Sequence, residues 1–254
     1  CKISKGCCLT MPLKFDIMNT TIERIYIMNK INKIFKDILK MPYYRNYSAV
    51  SGAVHNISNH EAAIEDVFAR YKLTKVDKKK LLSSIKKNLK IGPVGVRNRW
   101  MNGIDTEYMP DNSYISQPCG THNNPDFIVK IGRIFFIECK SSDEGKPTFN
   151  SAYAKQNYIY IFTSKKHNKT TFFMGQNIVS SKTAKLYDEL AEKIDEQVKI
   201  FEPLIKESDS NNRGVSYYNR PMYTQAGNQD ITDYFIHPDR IKIENEVMEF
   251  VNEV

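Results

Sequence analysis

The sequence predicts an α/β or α+β domain in which helices flank a mixed central β-sheet. Apolar residues recur with helical spacing before residue 90, strand-like runs follow between residues 127 and 174, and a helical pattern returns at residue 182. The chain has 254 residues, of which 41% are hydrophobic and 26% are charged, as in an ordinary globular protein. A chain of this length buries roughly 70–75% of its unfolded surface without help from disulfides.

Three helical segments precede the strands. In the first, Thr20 and Glu23 form a capping-box pattern, an apolar stripe follows, and Pro42 marks the end. The stripe consists of Ile27, Met28, Ile31, Ile34, Phe35, Ile38 and Leu39. The second helix is predicted to begin near residue 58, and the third to span residues 77–89.

Strand signals begin at residue 127. A β-hairpin is predicted from Phe127 to Cys139 with Gly132 at its turn. Its second arm is almost entirely apolar, which is typical of a strand covered on both faces. Two further strands are predicted over residues 158–163 and 170–174, around a polar turn.

The other segments contain loops and one long helix. Residues 92–124 are predicted to form a loop because Pro, Gly and Asn occur throughout them. Residues 209–239 are predicted to be irregular, and they are rich in Asn, Tyr and Arg. A helix is predicted over residues 182–205, built on the apolar positions Leu186, Leu190, Ile194, Val198 and Phe201.

Charge and cysteine content narrow the class of protein. Thirty-seven Lys and Arg against 29 Asp and Glu leave a net charge of +8, which favours a polyanionic partner such as nucleic acid. The positive charge is concentrated, with eight lysines and one aspartate in residues 72–90. Five scattered cysteines indicate reduced thiols, and no apolar run approaches the ~18 residues of a membrane span. No signal peptide is evident at the start of the sequence, so we expect a cytoplasmic protein.

Two carboxylates and a lysine are clustered at one end of the predicted hairpin. Asp126 begins the first arm, and Glu138 and Lys140, two residues apart, end the second arm on one face. Pairing across Gly132 brings Asp126 close to Glu138. Two carboxylates at one strand end suit Mg²⁺, and a neighbouring lysine can orient a water or stabilise charge on a phosphate. Metal-assisted phosphodiester hydrolysis needs these parts together.

With Pro125, these residues form a pattern that resembles the PD-(D/E)xK nuclease superfamily, and within it the type II restriction endonucleases. The resemblance extends over roughly residues 58–204. It implies an α/β restriction-endonuclease-like core of αβββαβ order. It also implies one or two Mg²⁺ ions per site, held by Asp126, Glu138, the main-chain carbonyl of Cys139 and Glu61, with Lys140 as a catalytic residue.

Glu61 allows two interpretations. With Ile64, Val67, Phe68 and Tyr71 as the buried face of its helix, Glu61 falls about 70° from the centre of that face and can reach the end of the sheet. A catalytic role is one interpretation. The other is a capping box, because Ser58 precedes Glu61 by three residues.

Polar side chains in predicted loops are candidates for DNA contact, because Arg pairs with guanine and Asn or Gln with adenine. The loops flanking the motif often approach the scissile phosphate in this family. The candidate residues are Arg97, Arg99, Gln117, Lys155, Arg213, Tyr217, Asn219 and Arg220.

The predicted function is a Mg²⁺-dependent type II restriction endonuclease of bacterial or viral origin that cleaves double-stranded DNA at a short sequence. It would act as a homodimer beside a companion DNA methyltransferase. The alternatives are a repair or junction-resolving nuclease on the same core, or a non-catalytic DNA-binding protein. The expected division of one continuous domain is a helical segment (1–57), a catalytic core with DNA-facing loops (58–207), and a DNA-recognition loop with a short tail (208–254).

Overall fold

The computed structural model of this protein describes six stretches of the chain, namely residues 13–43, 59–80, 109–118, 124–150, 153–217 and 222–253. The fold is α/β, with one six-stranded mixed sheet flanked by helices. The fold class predicted from the sequence is confirmed at this level.

The strands lie in the sheet in the same order as in the chain. They are β1 (Thr74–Lys75), β2 (Ser113–Ser116), β3 (Phe127–Ile131), β4 (Arg133–Ser142), β5 (Tyr158–Ser164) and β6 (Lys169–Met174). Strands β1 and β2 are parallel, as are β4 and β5, and the other neighbours are antiparallel. The predicted hairpin is therefore confirmed as β3 and β4, and the two later strands as β5 and β6.

The helices agree with most of the predictions. They are α1 (Leu13–Leu39), α2 (Asn59–Arg70), α3 (Gly175–Ile178), α4 (Ser181–Ser208), α5 (Gln229–Thr232) and α6 (Arg240–Asn252). Of the predicted third helix, the first part is a short 3₁₀ turn at Lys78–Lys80, and the rest lies outside the described residues. Within the described stretches, no helix has both the length and the apolar content needed to cross a membrane.

The sheet has a hydrophobic core on each face. Along β5, Ile159 and Ile161 face a core built with α1, α2 and α6, whereas Tyr158, Tyr160 and Phe162 face a second core. The predicted apolar face of α2 is confirmed, because Ile64, Val67 and Phe68 are fully buried in the first core. The α1 stripe is buried at Ile31, Ile34, Phe35 and Ile38.

One prediction of irregular structure is wrong, and one helix was not predicted. The segment predicted as a loop over residues 92–124 contains β2, whose Tyr114 and Ile115 are buried in pairing with β3. The end of the chain, predicted as a short tail, contains the 13-residue helix α6. Its Val247 and Val251 are fully buried against the first core and anchor this helix to the sheet.

Candidate active site at the end of the β3–β4 hairpin

The structure brings the motif residues together at one end of the hairpin. Phe127 pairs with Ile137 in the antiparallel register, so Asp126 lies beside the segment that carries Glu138. The Asp126 Oδ2 atom accepts a hydrogen bond from the Cys139 amide at 2.7 Å. The Lys140 Nζ atom donates to Glu138 Oε1 at 2.7 Å.

Local sequence explains why these groups meet. Gly132 takes the left-handed conformation (φ 69°) that a tight connection between β3 and β4 requires. Strand β4 then runs beyond the start of β3 as far as Ser142 and pairs there with β5. Glu138 and Lys140 alternate with the buried Ile137 and Cys139, so the charged pair occupies the opposite face of the strand.

Gln117 joins two of the carboxylates. Its Nε2 atom donates to Glu61 Oε2 at 2.8 Å and to Asp126 Oδ1 at 3.0 Å. Gln117 is buried and has a left-handed backbone conformation (φ 48°). Its backbone N–H donates to the main-chain carbonyl of Asp126 at 2.7 Å. We predicted Gln117 as a DNA contact, and the sequence offered no sign of this bridge between α2 and β3.

Glu61 lies where the helical angle placed it. It is in the first turn of α2, it is buried, and its carboxylate reaches the end of the sheet through Gln117. Ser58, the partner needed for the capping-box interpretation, lies outside the described residues. The catalytic role and the capping role of Glu61 both stay predictions.

The electrostatics of this corner are dominated by crowded acids. Burial, and then the charges of Glu138 and Glu61, raise the pKa of Asp126 well above its usual range. Burial alone would lower the pKa of Lys140, but the charge of Glu138, the hydrogen bond to it and the charge of Asp126 together outweigh burial, so the pKa is raised. Lys140 therefore stays charged, whereas Asp126 is costly to ionise in the absence of a further positive charge.

Two buried oxygen atoms at the site have no hydrogen-bond partner among the described residues, namely Glu138 Oε2 and Gln117 Oε1. An unpaired buried oxygen is destabilising unless a donor or a cation reaches it. No group of three or more His, Cys, Asp or Glu in the described stretches is arranged as a ready metal site. Mg²⁺ needs only one or two carboxylates and keeps several waters, so Asp126 and Glu138 fit such an ion.

Two buried bases lie beside the acids. Lys155, a predicted DNA contact, has its Nζ atom 4.4 Å from the centre of the Tyr153 ring. Burial lowers the pKa of Lys155 to about 8, although the charges of Asp188 and Glu138 oppose the shift. Burial and the charge of Lys140 lower the pKa of His60 to about 4, so this histidine is neutral at pH 7.

Of the other predicted contact residues, the two that the structure describes are not brought to this corner. Arg213 is exposed after the end of α4, and the half-exposed Tyr217 lines a groove beside Phe201 and Ile205. Four more predicted residues lie outside the described stretches, namely Arg97, Arg99, Asn219 and Arg220.

Comparison with protein-family models, curated proteins and solved structures finds no match to this chain.

Proposed function

We propose that this protein is a Mg²⁺-dependent endonuclease that hydrolyses double-stranded DNA at a short specific sequence, in the manner of type II restriction endonucleases. One observation carries the proposal: Asp126, Glu138 and Lys140 meet at the end of a buried hairpin, with Glu61 tied to them through Gln117. Paired carboxylates with an adjacent lysine are the groups that metal-assisted phosphodiester hydrolysis uses.

The order of elements supports a restriction-endonuclease-like core. Apart from the two-residue β1, the elements α2, β2, β3 and β4 and then β5, which is parallel to β4, match the first four elements and the last strand of the αβββαβ order that the motif implies. The departure is the connection between β4 and β5, which has no helix in its described residues. The acid of α2 and the acids of the hairpin nevertheless meet at one end of the sheet.

Each residue has a distinct role in the proposed reaction. Asp126 and Glu138 would hold the cation, together with the Cys139 carbonyl and Glu61. A bound Mg²⁺ supplies positive charge for the phosphate and a more acidic water. The Lys140 ammonium, kept charged by Glu138, orients the attacking water, and Gln117 fixes the two carboxylates that it bridges.

Charge elsewhere in the chain supports a DNA substrate. The net charge of +8 favours a polyanion, and Lys78 and Lys79 lie in the lysine-rich stretch that follows β1. Lys155 lies close enough to Glu138 for the carboxylate charge to affect the lysine pKa. A lysine at this position is suited to contact a phosphate bound at the site. Arg97, Arg99, Arg213, Tyr217, Asn219 and Arg220 remain proposed contacts at the DNA surface.

Incubation of supercoiled plasmid DNA with the protein and Mg²⁺ tests the proposed function. Discrete double-strand fragments are the expected result. Relaxed plasmid, or cutting only at junctions and damaged sites, would instead indicate a repair or junction-resolving nuclease. A mobility shift without cutting, with Mg²⁺ present, would contradict the assignment of an enzyme.

The Glu61→Gln variant distinguishes a catalytic role of Glu61 from a role in capping helix α2. We expect a depressed cleavage rate with almost unchanged stability, because the glutamine still offers an oxygen to Gln117 and still suits a capping box. Cleavage kinetics and thermal melting of the same preparation measure the two effects. A fully active Glu61→Gln protein would leave capping as the surviving role.

Divalent cations are expected to raise the melting temperature, and to do so more at about pH 8 than at about pH 5. The folded-state pKa of Asp126 lies above its unfolded value, so its ionisation costs stability as pH rises through the folded value, and a cation offsets that cost. At a hundred times its Kd, a cation adds about 2.7 kcal/mol, or about 5–10 °C in a chain of this size.

Differential scanning fluorimetry in Ca²⁺ or Mg²⁺, with EDTA as the reference, measures this shift. Asp126→Asn should lose the cation-dependent gain, whereas Asp143→Asn, a change at an exposed carboxylate, should keep it. A wild-type shift of equal size at both pH values would contradict the role of Asp126.

A further inference from the structure

Helix α4 packs on the rest of the fold with one side and leaves large apolar side chains exposed on the other. Its buried residues are Ala184 and Ala191, at the N-terminal half of the 28-residue helix. Leu186, Leu190, Ile200 and Leu204 are 57%, 49%, 59% and 54% exposed. Of the five apolar positions that predicted this helix, Leu186, Leu190 and Phe201 are exposed, whereas Ile194 and Val198 are partly buried.

The exposed positions form a regular seam. Lys193 and Gln197 are also exposed and lie between Leu190 and Ile200. From Leu186 to Leu204, the six positions are then four, three, four, three and four residues apart, which is the repeat of a coiled coil. We call this set the α4 seam: Leu186, Leu190, Lys193, Gln197, Ile200 and Leu204. At 100° per residue the seam covers an arc of about 80°, and the buried alanines lie about 150° from its centre. Its length is about 27 Å at 1.5 Å per residue.

The order of apolar and polar positions along the seam is the same in both directions of the helix. If two copies of α4 pair antiparallel about a two-fold axis beside Asp195, Leu186 meets Leu204 of the second copy and Leu190 meets Ile200 of the second copy. Lys193 meets Gln197 of the second copy in the two central layers. Each apolar side chain thus meets an apolar side chain, as an isologous interface requires.

Charge also favours the antiparallel arrangement. Lys193 and Glu196 are both exposed, and they lie within two residues of the proposed axis. The centre of an antiparallel pair holds two lysines and two glutamates, which can alternate. A parallel pair in register would instead place Lys193 against Lys193, and like charges in contact are unfavourable.

We propose that the α4 seam is a self-association surface, on which α4 of a second copy of this chain packs antiparallel. The homodimer expected from the sequence had no assigned surface, and the seam supplies one. The pairing stands on α4 alone and does not depend on the chemistry at the β3–β4 hairpin.

Sedimentation velocity over a range of concentrations tests the pairing. The wild type should sediment at twice the 29.5 kDa chain mass. Leu190→Glu or Ile200→Glu should weaken association at least about a hundredfold, because each change places two charges in the apolar layers. Ile241→Glu, at a 63% exposed residue at the start of α6, should keep the wild-type mass. Circular dichroism and thermal melting of each variant confirm that it is folded.

A charge exchange identifies the partner as a second copy. Lys193→Glu alone gathers four carboxylates at the axis and Glu196→Lys alone gathers four lysines, so each should dissociate the dimer. The double variant restores two charges of each sign and should restore the dimer. A monomeric wild type, a dimer indifferent to Leu190→Glu and Ile200→Glu, or a double variant that stays monomeric would overturn the proposal.

Discussion

Asp126→Ala and Glu138→Ala are expected to abolish metal binding and DNA cleavage together. Each carboxylate supplies part of the anchorage of the proposed cation, and the remaining acids cannot replace its oxygen atoms. Both variants should also bind DNA more tightly in EDTA than the wild type does, because each loses a negative charge that would face the phosphates. Calorimetric titration with Mn²⁺ and a cleavage assay measure the two losses.

Two further variants keep this result interpretable. Asp126→Asn retains an acceptor for the Cys139 amide, so it separates the loss of the metal from the loss of that hydrogen bond. Asp143→Ala removes an exposed carboxylate just beyond β4 and should bind Mn²⁺ and cleave DNA normally. Normal Mn²⁺ binding by Asp126→Ala would show that the cation is held elsewhere.

Lys140→Ala is expected to lower turnover by about 10²–10³-fold while DNA affinity is largely kept. A cation can still bind between Asp126 and Glu138, but the attacking water loses the group that orients it. Lys140→Arg should restore little activity, since a planar guanidinium cannot replace a compact ammonium at one point. Single-turnover cleavage at saturating protein separates this loss from any loss of binding.

Lys140→Ala should also lower the stability of the protein in the absence of a divalent cation, and it should lower it less when the cation is present. Glu138 is buried and its Oε1 atom accepts from Lys140, so removal of the lysine leaves a buried carboxylate without its ion-pair partner. Breaking a buried pair from one side costs about 3 kcal/mol. Mg²⁺ should recover part of that cost in Lys140→Ala, which chemical denaturation with and without Mg²⁺ can measure. Equal stability of the variant and the wild type in EDTA would contradict the proposed charge balance.

The hairpin and its neighbouring strands could be predicted from the sequence because their signals are local. Gly132 lies between two apolar runs, and the polar turn between β5 and β6 is as clear. The meeting of Asp126 with Glu138 follows from that pairing and from strand alternation. The angle of Glu61 on α2 likewise follows from helical geometry alone.

What was missed depends on contacts between distant parts of the chain. Strand β2 has only four residues and two serines, so it is recognisable only through its pairing with β3. The bridge made by Gln117 needs a left-handed backbone and two acids, 56 and nine residues away. The exposed seam of α4 was hidden for another reason. An apolar helical stripe has the same spacing whether its own sheet or another chain covers it.

Cleavage of one plasmid by the wild type and by Lys140→Ala, assayed side by side in Mg²⁺, is the sharpest test of nuclease chemistry at the β3–β4 hairpin. Lys199→Ala, a change at an exposed lysine of α4, serves as the matched control. We expect discrete double-strand fragments from the wild type and from Lys199→Ala, no fragments from the wild type in EDTA, and almost none from Lys140→Ala. Near-normal cleavage by Lys140→Ala would contradict the assignment of nuclease chemistry to the β3–β4 hairpin.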